Sequence, residues 1–123
     1  MTVAELYDIL GADYNEAVGR LMSEKLISKY IIKFLDDPSY ARLMEVWKGD
    51  KNEEELFKAA HTLKGVGLNL ALSNINQYVL PITENYRPKN SVKVDNVEEL
   101  FDKLEKEYNI SVMKIREFAK SQQ

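Results

Sequence analysis

At 123 residues, with 45% hydrophobic and 30% charged side chains, the chain is long enough for one domain with one core and too apolar to stay disordered. A net charge of −3 without a basic stripe argues against nucleic acid as a partner, and the lack of cysteine excludes disulfides, thiolate metal sites and cysteine nucleophiles. No apolar run approaches a membrane span, and Glu5 and Asp8 interrupt any signal-peptide reading, so the expectation is a free cytoplasmic, monomeric domain spanning residues 1–123, with no metal, cofactor or membrane.

Helical periodicity dominates; strand-like alternation occurs only at Val92 to Val94. Thr2 with Glu5, and Asp13 with Glu16, have the spacing of capping boxes and open short N-terminal helices. From Glu16 to Asp36 the pairs Leu21/Met22, Leu26/Ile27, Tyr30/Ile31 and Phe34/Leu35 mark one amphipathic helical segment. Pro38 breaks the path, and Ser39 is placed to cap a helix through Leu43, Val46 and Trp47 that ends at Gly49. Asp50 with Glu53, or Asn52 with Glu55, starts the next helix, whose apolar stripe is Leu56, Ala60, Leu63, Gly67 and Leu70. The same rhythm returns at Leu72, Ile75, Val79, Ile82 and Tyr86, with Pro81 inside it as an expected kink. Arg87 to Asn96 is a loop. Asp95 with Glu98 then starts a last helix, with Val97, Phe101, Leu104, Tyr108, Val112, Ile115 and Ala119 on one stripe. Long amphipathic segments with short connections predict an all-α fold: an antiparallel four-helix bundle with short additional N-terminal helices.

The only histidine, His61, opens the run His61-Thr62-Leu63-Lys64-Gly65. At 100° per residue, the stripe through Leu56, Ala60 and Leu63 turns His61 toward solvent. Lys64 and Gly65 follow it onto neighbouring parts of the same surface, with Phe57 and Leu68 expected as flanking apolar contacts for a partner that docks around Gly65. Glycine inside a helix costs about 1 kcal/mol against alanine. Gly67 has a reason in close helix packing. Gly65 faces outward, and its reason is that something must approach closely. Neutral imidazole is nucleophilic near pH 7 and accepts a phosphoryl group on a ring nitrogen, and a cation one turn away stabilises the charge on the phosphoryl oxygens. A partner can supply any general base or metal.

At these residues the chain resembles the histidine-containing phosphotransfer (HPt) domain family. The matching core is Ala60-His61-Thr62-Leu63-Lys64-Gly65, continuing through Asn69-Leu70 into Ile75, with Phe34-Leu35-Asp36-Asp37 and Gly49-Asp50 as the lead-in. The resemblance implies a four-helix bundle with the histidine exposed at mid-helix. It also implies phosphorylation at Nε2 and exchange with response-regulator receiver domains and a sensor histidine kinase. By that match His61 is the phosphoacceptor, Lys64 the phosphate-stabilising cation and Gly65 the close-approach position for the docking receiver. Two positions depart from the family pattern. Ala71 stands where the family often has glycine. Thr83 stands where it often has a carboxylate or amide that holds the other ring nitrogen, which leaves Thr83, or Glu84 brought round by the Pro81 kink, to orient the ring.

An enzyme with its own cycle would need a second catalytic group, and no paired-carboxylate motif or nucleophile elbow is present. A kinase would need a glycine-rich phosphate loop. A di-iron bundle would need Glu-x-x-His, and Lys58 occupies the glutamate position. The remaining alternative is a non-phosphorylated protein-interaction module on the same helical scaffold.

Overall fold

The computed structural model describes residues 1–123 as seven α-helices and one 3-10 turn. Helix α1 (Val3–Leu10) opens with the expected capping box: the Glu5 amide donates to the Thr2 hydroxyl at 3.1 Å and the Thr2 amide to the Glu5 carboxylate at 2.9 Å. Helix α2 (Tyr14–Leu21) is capped by Asp13. The expected continuous segment to Asp36 is divided here. Met22 adopts φ 70° and is 79% exposed, and the Ser23 hydroxyl accepts from the Leu26 amide at 3.1 Å, so a new helix, α3 (Glu24–Lys33), begins. A left-handed residue cannot continue a right-handed helix, and serine serves an N-terminus better than a helix interior. The 3-10 turn Phe34–Asp36 follows.

In helix α4 (Ser39–Lys48) Ser39 is the first helical residue and not the cap: Pro38 holds the N-cap position without a capping side chain, and the Ser39 amide is satisfied by the Asp37 carboxylate at 2.9 Å. For α5 (Glu53–Asn69) the cap is Asn52, whose side-chain oxygen accepts from the Glu55 amide at 3.0 Å; Asp50 accepts from the Asn52 amide at 3.1 Å and holds the cap in place. Glu53, Glu54 and Glu55 lie in the first turn, where the helix dipole favours negative charge. Asn52→Ala is therefore expected to cost about 1 kcal/mol in urea unfolding, and Asp50→Ala distinctly less; the reverse order would return the cap to Asp50.

Helix α6 (Ser73–Asn85) runs through Pro81. The connection to α7 (Val97–Ser121) contains no strand at Val92 to Val94. It is tied back to α6 instead, with the Val94 amide donating to the Asn85 side chain at 2.9 Å and the Asn90 side-chain amide to the Glu84 carbonyl at 2.6 Å. The cap of α7 is Asn96, one residue later than expected, because its side-chain oxygen accepts from the Glu99 amide at 3.2 Å.

Leu56, Ala60, Leu63, Gly67 and Leu70 of the α5 stripe are buried, as are Leu72, Ile75, Val79 and Ile82 ahead of and along α6. On α7 the buried face differs from the expected stripe. Phe101, Leu104 and Ile115 are buried, but Val112 and Ala119 are only partly so, and Ser111 and Phe118 are fully enclosed. The enclosed positions keep a seven-residue repeat, the spacing of knobs-into-holes packing, and the Ser111 hydroxyl turns inward to accept from the Asn74 amide at 2.9 Å.

Helix α5 packs on both α4 and α6, and α6 packs on α7. Helices α4 and α7 meet through stacked rings, Tyr40 on Tyr108 with centroids 3.6 Å apart and Trp47 on Phe101 at 4.0 Å, and through a 2.7 Å ion pair of Lys48 with Glu105. Helix α1 packs against α2, α3 and α7. The first two helices also fasten the turn between α5 and α6. The Tyr7 hydroxyl donates to the Leu70 carbonyl at 2.7 Å, the Asp13 amide to the Ala71 carbonyl at 3.0 Å, and the Ser73 hydroxyl to the Gly11 carbonyl at 3.2 Å. Burial pushes the Tyr7 phenol well above its ordinary pKa, so it stays a donor. No helix is long and apolar enough to cross a membrane.

Candidate functional site

Because Leu56, Ala60, Leu63 and Gly67 turn into the core, His61 is carried on the opposite side of α5 and is exposed. Its ring lies nearly parallel to that of half-buried Phe57, one turn earlier: the centroids are 5.6 Å apart and the planes differ by 9°. The Arg87 guanidinium sits 5.3 Å from the Phe57 ring centroid. One turn after the histidine, the Lys64 side chain is mostly covered, and its Nζ lies 4.0 Å from Oε1 of Glu84. The Glu84 carboxylate in turn accepts two hydrogen bonds from Arg87, both 2.8 Å. Those hydrogen bonds outweigh the upward pull of partial desolvation and, with the smaller effects of the Arg87 and Lys64 charges, hold the Glu84 carboxyl below its ordinary pKa. The outcome is an exposed imidazole bordered by two cations with one carboxylate between them.

Thr83 and Glu84 part company in the structure. Thr83 is fully buried and its hydroxyl donates to the Val79 carbonyl at 2.7 Å, so it faces the core and does not orient the histidine. Helical phase explains this: Thr83 follows Val79 by four residues and shares its inward face. Glu84, the next residue, is exposed and borders the site, but both its oxygens are engaged by Arg87. The sequence pattern marks Arg87 only as the start of a loop. The signal that finds it is the acid–base pair three residues apart at the end of a helix.

The two glycines of α5 divide as their phases require. A Cβ placed on Gly65 meets nothing within 4 Å, whereas one placed on Gly67 collides with the amide oxygen of Asn76. Leu68 is half-buried on the same flank as Gly65. Beyond it, Val66, Leu70, Leu21, Tyr30 and Phe34 line an open groove of about 360 Å³ between α5 and the segment from α2 to the 3-10 turn. No group of three His, Cys, Asp or Glu side chains is placed to hold a metal ion. Chemically, the site offers an accessible nucleophilic nitrogen, cations to receive negative charge, and open space for an approaching surface.

Comparison with protein-family models gave no match, and comparisons with curated proteins and with solved structures gave none either.

Proposed function

We propose that this chain is a phosphocarrier of a histidine–aspartate phosphorelay, with His61 as the phosphoacceptor, on an antiparallel four-helix bundle formed by α4 to α7. The observation that carries the reading is the conjunction on one face of α5 of an exposed imidazole, a cation one turn on, and an open glycine beside it. The cross-helix pairs fit the bundle. Tyr40 and Trp47 meet Tyr108 and Phe101 in reversed sequence order, as antiparallel neighbours must. Ala71, where the HPt resemblance expects glycine, has φ 53°, a left-handed conformation that glycine adopts most readily.

In the proposed reaction an aspartyl phosphate on a receiver domain is the donor. A lone pair on a ring nitrogen of neutral His61 attacks phosphorus, the bond from phosphorus to the aspartate oxygen breaks, and the carboxylate leaves. The proton on the other ring nitrogen stays in place. Lys64 turns from Glu84 toward the phosphoryl oxygens, and reversal of the step delivers the group to the aspartate of a second receiver. A sensor histidine kinase with its receiver is the upstream source, because the chain carries no nucleotide site of its own motif. Incubation with phosphorylated receiver domains followed by intact-mass measurement tests the reading: one acid-labile, base-stable phosphoryl group is expected on the chain. An unchanged mass with every receiver of the same cell would leave the helical interaction module as the better account.

Lys64→Ala is expected to shorten the lifetime of the phosphorylated form, or slow its formation, by about tenfold, corresponding to ~1.4 kcal/mol of charge stabilisation. Its effect on thermal stability should be small, since the Glu84 contact is long and half in water. Equal lifetime and equal rate in variant and parent would remove Lys64 from the mechanism.

A further inference from the structure

An exposed histidine on a helix samples several rotamers, and in-line phosphoryl transfer uses only the orientation that points the attacking nitrogen at phosphorus. The residues placed to fix the ring by hydrogen bonding are engaged elsewhere: Thr83 with Val79, and Glu84 with both nitrogens of the Arg87 fork. The ring does have one close neighbour of defined geometry, the phenyl of Phe57, with planes 9° apart and centroids at 5.6 Å. Phe57 is itself half-buried and carries the Arg87 guanidinium 5.3 Å from its ring centroid, so its own position is fixed from a second helix end.

We infer that Phe57 is the positioning residue for the His61 ring, holding it by stacking where a hydrogen bond does not, and leaving both ring nitrogens free. The inference rests on the phosphocarrier reading for its consequence in transfer, though not for the geometry itself. Stacking one turn apart is available within a single helix, so the ring is ordered by its own element and does not depend on the neighbouring helix moving with it. Arg87 and Glu84 then act on the phenyl ring and on Lys64.

A small donor separates this role from a docking contact. Phosphoramidate carries its phosphoryl group on nitrogen. Its phosphorus–nitrogen bond breaks, a bond from phosphorus to the imidazole nitrogen forms, and ammonia leaves. No protein surface has to dock. With this donor Phe57→Leu is expected to phosphorylate about twofold more slowly than the parent, the change in ring orientation that so weak a stack can produce, and Phe57→Tyr, which keeps the stack, at the parent's rate. A Phe57→Leu variant that is slowed with a phosphorylated receiver but not with phosphoramidate would make Phe57 a docking contact only, and would overturn the inference. A second measurement does not involve phosphate. Side-chain NMR couplings should show the stacked His61 rotamer about twice as populated in the parent and in Phe57→Tyr as in Phe57→Leu. A freely averaging His61 ring in the parent would overturn the inference whatever the folding of the variants. No phosphate uptake by the parent from either donor, together with an ordered ring, would count against the phosphocarrier reading and leave the stacking claim standing.

Discussion

His61→Gln should take up no phosphate at all, from a receiver or from a small donor, while its unfolding free energy stays within about 0.5 kcal/mol of the parent's. The two halves of that expectation have separate grounds. Uptake is lost completely because the chain has no second histidine and no cysteine to substitute as a nucleophile. Stability is kept because the His61 ring is exposed and outside the cluster of buried apolar residues, and its stack on Phe57 is a surface pair worth a few tenths of a kcal/mol. Intact-mass measurement and urea unfolding on the same preparation check both. Uptake by the variant at the parent's rate would move the phosphoacceptor to another residue.

A large stability effect at the site's helix is expected from a single methyl group. Gly67→Ala should lose about 1–3 kcal/mol, although alanine is the better helix former by about 1 kcal/mol. The added carbon runs into the Asn76 side chain, which is buried. Asn76 cannot step aside freely, because its amide nitrogen donates to the Gly67 carbonyl at 3.0 Å and moving it breaks that bond. Two residues earlier the same kind of change has the opposite sign. Gly65→Gln meets open space and should leave stability equal or slightly raised. Its transfer from a receiver should nevertheless be much slower, because the long side chain stands where the donor must approach. Urea unfolding of both variants and transfer kinetics of the second decide the matter. Stability lost at Gly65 and kept at Gly67 would invert the helical phase on which the site rests.

That phase was legible in the sequence because α5 has a regular stripe, and one regular stripe places every other residue of its helix. The elements that differed from expectation differ for local reasons. Glu16 to Asp36 has unbroken apolar periodicity, and nothing in that period shows that Met22 turns left-handed while Ser23 caps a fresh helix. At Ser39 and Asp95 the residue types suit a cap, but a neighbour, Asp37 or Asn96, has the better reach to the free amide. On α7 the apolar residues Val112 and Ala119 fall on the stripe expected from the sequence. The repeat that the core enforces encloses polar Ser111, because Asn74 of another helix pairs with it. Such a partner is invisible to a pattern read along one helix. The same holds for Arg87 and Thr83, whose roles follow from what lies across from them on α5 and within α6.

The fastening of the α5–α6 turn by the first helices also bears on the order in which the chain can fold as it is made. The Tyr7 hydroxyl finds its acceptor 63 residues later in the chain, at Leu70, and the Gly11 carbonyl finds its donor 62 residues later, at Ser73. Before α5 to α7 are made, α1 and α2 have only each other and α3 to pack against, and each is a two-turn helix too short to persist alone. Their hydrogen bonds to the turn at Leu70 to Ala71 form only once that turn exists, and closing so long a loop is a slow, entropically unfavourable step. Helices α1 and α2 thus complete their packing only after the α5–α6 turn is made, and until then Leu6, Tyr7 and Leu10 lack part of the cover they have in the folded domain.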